Sequence, residues 1–308
     1  MRTLVLGAGA TGGYFGGRLL EAGHDISFLV RPKRATHLRT QGLVIHSPEG
    51  GARLEPTLVI ANRIRQTYDL VILACKAYDL DRALEAVAPA VGEHTVILPL
   101  LNGLRHYETL DTRFGAERVL GGLCSIAVTI GDDGAVHHLM PMHVLRFGER
   151  DGSRSPRVEA LEAMTATAKL DAKSSKNIVL ALWEKWVMLA SLAGMTCLMR
   201  ASIGDIVAVG CGRALTLQML DECLEVATAC GYAPRPAVLE ATRELLTTPG
   251  SPATASMLRD IENGHHVEAD HILGDLVERG SAAGVATPLL RVAYCHLKAY
   301  EERRKRKR

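Results

Sequence analysis

Short apolar runs alternate with amphipathic stretches through the first half of the chain, and helical periodicity takes over in the second. Residues 3–6, 25–30, 70–74 and 95–98 read as strands. The run Leu70-Val71-Ile72-Leu73-Ala74 lacks polar alternation, as expected of a parallel strand covered on both faces. Helical patterns at 13–22, 33–40 and 80–90 separate these runs, which predicts a βαβ succession. Residues 43–46 and 54–60 read as a hairpin around Glu49-Gly50-Gly51. Residues 119–130, 135–139 and 144–148 read as an added antiparallel stretch turned by Gly131-Asp132-Asp133-Gly134. A helix at 156–168 and a short segment at 171–174 follow. From Asn177 onward the periodicity is helical, at 178–198, 204–230, 235–247, 254–263, 267–283 and 288–304, punctuated by Gly231, Pro234, Pro236, Pro249, Pro252 and Pro288. The expected organisation is an α/β domain over residues 1–176 and an all-helical domain over 177–308.

The first strand runs without a gap into Gly7-Ala8-Gly9-Ala10-Thr11-Gly12, and a helical pattern follows. G-x-G-x-x-G between a strand and a helix is the context in which it marks a Rossmann dinucleotide site. The glycines allow the tight turn, the close approach of a pyrophosphate, and close packing of helix on strand. The helix N-terminus offers N–H groups and a positive dipole end to the phosphates. An NAD site carries an acid about 20 residues further on, at the ribose diol. Here the second strand ends in Arg31, with Lys33 and Arg34 close behind, which suits a 2′-phosphate and therefore NADP.

Composition adds limits. The 308 residues are enough for two domains; 47% are apolar and 23% charged, the profile of a folded soluble chain. No secretory signal pattern precedes the first strand, and the seven cysteines contain no C-x-x-C pair, so reduced core thiols in a cytoplasm are expected. The net charge of +2 hides an acidic body, because the last six residues, 303–308, are all basic and 36 − 6 = 30 cations then face 34 acids. One short tail on an acidic body reads as a solvated terminus and gives no ground for a nucleic-acid partner. The apolar stretch 178–198 carries Glu184 and Lys185, charges costly at a bilayer centre, and so reads as a buried helix with no membrane role. Three His and two acids stand in His265-His266-Val267-Glu268-Ala269-Asp270-His271, yet their spacing fits no common zinc motif, and no metal is expected.

Lys185 poses the sharpest question in the second half. It stands among Trp183, Trp186, Val187, Met188 and Leu189. Its neighbour Glu184 lies about 100° round the helix, a poor angle for a partner. Snorkelling to water is the simplest account; pairing with a distant acid, or a place in a cleft, are the others.

The chain resembles the ketopantoate reductase (2-dehydropantoate 2-reductase) family over essentially its full length. The resemblance rests on Gly7 to Gly12, Arg31, Lys76 in Leu73-Ala74-Cys75-Lys76-Ala77-Tyr78, Asn102-Gly103, Leu182-Trp183-Glu184-Lys185, Ser256-Met257-Leu258-Arg259-Asp260-Ile261, and Glu268. It implies an N-terminal Rossmann domain and a C-terminal helical domain like that of 6-phosphogluconate dehydrogenase. It implies the pantothenate pathway, NADPH as cofactor, a small 2-oxo acid as substrate, and is compatible with a homodimer. By resemblance Lys185 is the proton donor to the substrate carbonyl. Glu268 lines the nicotinamide and substrate region. Ser256, Met257, Leu258 and Arg259 match the segment that receives the substrate carboxylate. Asn102 stands near the ribose and substrate, Ala127 offers a backbone contact, and Arg31 and Lys76 lie near the adenosine phosphate. Members that reduce ketopantoate carry Asn four and eight residues after the catalytic Lys, where this chain has Leu189 and Ala193; a third family Asn aligns near Ile203. Two alternatives accompany this expectation: a D-2-hydroxyacid dehydrogenase of the same family acting on a more apolar 2-oxo acid, and a non-catalytic NADP-binding sensor.

Overall fold

The computed structural model describes residues 1–306; the last two residues of the basic tail lie outside the described residues. Residues 1–101 with 106–179 form one compact unit, and residues 102–105 with 180–306 form a second.

The first unit is built on two sheets. In the first, β1 (Thr3–Leu6) pairs in parallel with β2 (Ile26–Leu29) on one side and β6 (Leu70–Leu73) on the other. β5 (Thr57–Val59) and β7 (Val96–Pro99) complete the order β5-β2-β1-β6-β7. β1, β2, β6 and β7 are buried along their whole length, which explains their apolar runs. The second sheet joins β3 (Leu43–His46), β4 (Ala52–Leu54), the long hairpin β8 (Gly121–Ile130) and β9 (Val136–Gly148), and β10 (Asp171–Ser174). The helix α1 (Ala10–Glu21) touches both sheets through small residues. A Cβ at Gly16 would meet Phe28 at 2.8 Å and Val5 at 2.9 Å; one at Gly17 would meet Ile45 at 2.6 Å. Larger side chains there would force α1 off one sheet or the other. The remaining helices of this unit are α2 (Pro32–Gln41), α3 (Leu80–Val87), α4 (Arg105–Phe114) and α5 (Pro156–Ala166).

The expected hairpin partner at 54–60 is two strands. Pro56 has no N–H to donate, and the chain changes sheets across it: β4 pairs with β3, and β5 joins β2. The short segment 171–174 is a strand that pairs in parallel with β9.

The second unit is helical. α6 (Ile178–Met199) meets the length and hydropathy of a membrane span, but 67% of that stretch is buried inside the protein, as in a core helix. α7 (Ile203–Ala208) starts from Ser202 in a capping box with Asp205. The single helix expected at 204–230 breaks before α8 (Gly212–Ala229), where a Cβ at Gly212 would lie 1.7 Å from the Ile206 carbonyl. α9 (Pro236–Thr247), α10 (Ser256–Glu262), α11 (Asp275–Ala282) and α12 (Pro288–Arg306) complete the unit. The buried Glu222 carboxylate of α8 accepts the N–H groups of Leu289 and Leu290 at 3.1 and 2.9 Å, so an acid satisfies the N-terminus of α12. Ahead of α11 the backbone widens into one π turn, Asp270–Gly274, inside the stretch expected to be a plain helix.

The cysteines form no disulfide. Cys124, Cys197 and Cys223 are buried as expected, whereas Cys211 and Cys295 are exposed, so the set is only partly a core set.

Candidate active site

The fingerprint loop leaves the C-terminal end of β1, the central strand of the parallel sheet, where doubly wound folds bind ligands. Gly7 sits at φ +95°, a left-handed conformation that a side chain would strain. A Cβ at Gly12 would lie 2.0 Å from the Gly7 carbonyl oxygen, so the turn closes only on glycine. Gly9 differs: a Cβ there would meet nothing within 4 Å. The protein itself leaves that approach open, as a loop must if a phosphate is to lie against its backbone. Gly9 is also the N-cap of α1 and offers no side-chain acceptor, and the first turn, with Ala10 and Thr11, carries no acid. The first N–H groups of a helix have no partner within it and here face no competing carboxylate. These features fit a dinucleotide pyrophosphate.

Arg31 follows β2, and Lys76 follows β6, the two strands flanking β1. Arg31 is 73% exposed and its Nη2 pairs with Asp79 at 2.9 Å, three residues beyond Lys76. Arg34, expected to join this cationic group, is used by the fold instead. Its Nε donates to the Ala8 carbonyl at 2.9 Å and its Nη1 to the Gly134 carbonyl at 2.7 Å. Burial pushes its pKa down. Arg34 therefore braces the glycine loop, and Arg31 and Lys33 are the exposed cations. Ala127 lies in a break of the β8–β9 ladder: Ile126 pairs with His143 and Val128 with His138, so residues 139–142 bulge out against Ala127 alone. A bulge leaves backbone groups outside the ladder, which suits the backbone contact expected there.

The second unit gathers the candidate catalytic groups. Lys185 projects from the middle of α6, half-buried, and its Nζ donates to Asn102 Oδ1 at 2.8 Å. Glu184 is occupied elsewhere: its buried carboxylate accepts Arg235 Nε at 2.7 Å, Nη2 at 2.5 Å and the Arg235 backbone N–H at 2.9 Å. Asn102 lies in a turn made tight by Gly103 at φ +74°, where a Cβ would stand 2.8 Å from the His271 carbonyl oxygen. The His271 side chain is buried in the π turn and hydrogen-bonds the Asn102 backbone. Burial pushes its pKa down against the opposing pull of Glu268. The buried Glu268 stands just ahead of the π turn, and its carbonyl accepts the Ile272 N–H at 3.0 Å. Asn102 thus links Lys185 to the turn that carries Glu268 and His271. π turns of this kind recur at functional positions in helices.

At the start of α10, Ser256 and Arg259 are exposed, whereas Met257 and Leu258 are buried and present only backbone outward. The Leu258 N–H is already donated to the Ala255 carbonyl at 3.0 Å. The Ser256 hydroxyl, the Arg259 guanidinium and the first N–H groups of α10 are the donors this segment offers. Along α6, Leu189 is half-buried and Ala193 fully buried.

The histidine run diverges. His266 Nδ1 meets Glu301 at 3.2 Å, Asp270 meets Tyr294 at 2.6 Å and Lys298 at 2.9 Å, and His271 turns to Asn102. Four participants escaped the sequence reading: Asp79, Arg235, and His271 and Gly103 as a clamp on Asn102. The pairing of Gly103 with a neighbouring polar residue was visible; its partner 168 positions away was not.

Two family models match the chain, ketopantoate reductase PanE/ApbA over residues 3–152 and its C-terminal counterpart over 177–301. An uncharacterized oxidoreductase, YkpB, of Bacillus subtilis (strain 168) is 40% identical over 301 residues, covering 98% of this chain and 99% of the relative. A 2-dehydropantoate 2-reductase of Mesorhizobium japonicum is 27% identical, with 94% of each chain covered. Among solved structures, a 2-dehydropantoate 2-reductase from Geobacter metallireducens superposes with a TM-score of 0.89 at 30% identity, covering 97% of this chain and 99% of that one. A D-mandelate dehydrogenase bound to NADH and anilino(oxo)acetate shares the fold, with a TM-score of 0.89 at 20% identity, covering 99% and 100%. With both halves matched and a relative this similar over its whole length, the chain belongs to the ketopantoate reductase family of oxidoreductases.

Proposed function

We propose that this protein uses NADPH to reduce a small 2-oxo acid to the 2-hydroxy acid in the cytoplasm, with ketopantoate, the substrate of the pantothenate pathway, as the leading candidate. Residues 1–176 hold the dinucleotide on the glycine loop, with Arg31 and Lys76 toward the 2′-phosphate, and residues 177–308 supply the acid chemistry. The cofactor, when bound, supplies the hydride that the C2 carbonyl carbon accepts. Lys185 then delivers a proton from Nζ to the carbonyl oxygen, so that the C=O bond becomes CH–OH and no alkoxide accumulates. Asn102 orients that ammonium, and the His271–Gly103 clamp orients Asn102. Ser256 and the α10 N-terminus receive the substrate carboxylate. Glu268 sets the local charge and accepts a hydrogen bond from a substrate hydroxyl.

The observation that carries this reading is the 2.8 Å hydrogen bond from Lys185 to Asn102 Oδ1, made while the neighbouring charge on the helix, Glu184, is taken by Arg235. A lysine merely snorkelling to water needs no such partner. Leu189 and Ala193 favour a second reading of the same site. Side chains four and eight residues along project from the same helix face as Lys185; the half-buried Leu189 offers a substrate tail apolar surface where a hydroxyl prefers amides, and the buried Ala193 backs that face without a polar group. Each methylene buried there contributes about 0.8 kcal/mol, so an aliphatic or aryl 2-oxo acid competes with ketopantoate.

A panel of ketopantoate, 2-oxoisovalerate and phenylglyoxylate, followed by loss of NADPH absorbance, tests both. Turnover of at least one is expected. If 2-oxoisovalerate or phenylglyoxylate leads, Leu189→Asn with Ala193→Asn should move kcat/KM toward ketopantoate; a strong wild-type preference for ketopantoate removes the second reading. Inactivity on every 2-oxo acid, with NADPH still bound, overturns the first in favour of a sensor.

A further inference from the structure

Away from the reductase machinery, three side chains of the first unit converge on one point of its second sheet. β3 and β9 run in parallel with His46 opposite His137, so both imidazoles stand on the same face, with ring centroids 4.8 Å apart. Asp133, in the turn that opens β9, reaches both: Oδ1 lies 3.4 Å from His137 Nε2 and Oδ2 4.0 Å from His46 Nε2. The carboxylate is fixed from behind, because Oδ1 also accepts the Ala135 backbone N–H at 3.0 Å. All three potential ligand atoms fall within 4.8 Å of one another.

We infer that His46, Asp133 and His137 form a zinc-class divalent metal site tying β3 to the β8–β9 turn. Two imidazole nitrogens and one carboxylate oxygen are donors zinc prefers, and three protein ligands leave a fourth position for water. Bonds of about 2.0–2.2 Å set tetrahedral ligand atoms roughly 3.3 Å apart. The His137–Asp133 separation already matches that spacing, and the others close with rotations of exposed side chains. Without an ion the arrangement contributes little, because exposed His–Asp pairs are weak and screened. The sequence conceals the site, since its members lie at positions 46, 133 and 137 and only the parallel register brings them together. The site is also connected to the cofactor loop. The turn that holds Asp133 ends in Gly134, whose carbonyl accepts Arg34 Nη1, and Arg34 Nε holds the Ala8 carbonyl.

The test is calorimetric titration of the EDTA-stripped, dialysed protein with zinc chloride, repeated with cobalt(II) chloride and followed by visible absorption. One saturable equivalent per chain, a zinc-dependent rise in the thermal midpoint and a tetrahedral cobalt band are expected. All three should be lost together in the His46→Ala, His137→Ala double variant and weakened in Asp133→Asn. Far-UV circular dichroism of each variant shows that it is folded. Absence of saturable zinc binding in the wild type overturns the inference, as does binding that persists unchanged in the double variant.

Discussion

At the scale of single residues, the proposed preference for NADPH turns on a local competition. Arg31 is exposed, and Asp79 holds it through a pair of the kind worth about 0–1 kcal/mol, which a 2′-phosphate making charge-assisted hydrogen bonds can displace. Arg31→Ala should weaken NADPH binding by about 1–3 kcal/mol and leave NADH nearly unchanged. Asp79→Asn should act in the opposite direction, releasing Arg31 and tightening NADPH. Fluorescence titration of both dinucleotides checks the pair of variants, and equal wild-type affinity for NADPH and NADH would remove the basis of the argument. Residue chemistry also explains why the Arg31–Lys33–Arg34 cluster divides. A guanidinium buried against two backbone carbonyls is a brace, and nothing in the sequence separates Arg34 from its exposed neighbours.

At the scale of elements, what the sequence discloses follows the range of the interactions. β1, the glycine loop and α1 are legible because strand, turn and helix are consecutive and the contact that closes the turn, Gly12 against the Gly7 carbonyl, is local. The fate of 54–60 is less so: both halves are good strands, and only tertiary pairing assigns one to each sheet. The π turn at Asp270–Gly274 leaves no periodic signature, so its inward histidine reads as part of a polar run. Glu184 is a similar case. The sequence shows it to be a poor partner for Lys185, but Arg235, its actual partner, lies 51 residues on. That pair closes the turn between α8 and α9 onto α6, next to the stack of Trp183 on Tyr232 at 5.3 Å. Arg235→Ala would leave a buried carboxylate with a single backbone donor and should cost about 1–3 kcal/mol of stability. Urea unfolding with an unchanged m-value measures it; a shift near zero would mean that water replaces the guanidinium.

At the scale of the whole molecule, the histidines and carboxylates with shifted pKa values lean one way. His271, His143 and His296 all have pKa values pushed down from 6.5, in each case chiefly by burial. For a histidine lowered in the fold, the unfolded chain binds the proton more readily, so stability is complete above about 6.5 and falls as the pH drops below it. Glu149 is held below the ordinary glutamate range by its hydrogen bonds from Arg157, and Asp171 by Arg146. Depressed carboxylates contribute above their unfolded values and lose that contribution as the pH falls through the folded ones. Both sets carry the same sign. The urea midpoint should therefore decline below pH 6.5 and again, more steeply, through the carboxylate range. A midpoint that rises between pH 7 and pH 5 would contradict this balance.

Lys185, held by Asn102, is the proposed proton donor of a carbonyl reduction. The most direct measurement is the kcat of Lys185→Ala on the best 2-oxo acid, set beside its NADPH dissociation constant. A group acting in the transition state should take roughly 100-fold or more from kcat when removed, the usual scale of general acid catalysis. The dinucleotide is held by other residues, so its affinity should stay within about twofold, well under the 1.4 kcal/mol of a tenfold change. Near-normal turnover by the variant would return Lys185 to a lysine that reaches for water, and the proposed chemistry would lose its acid.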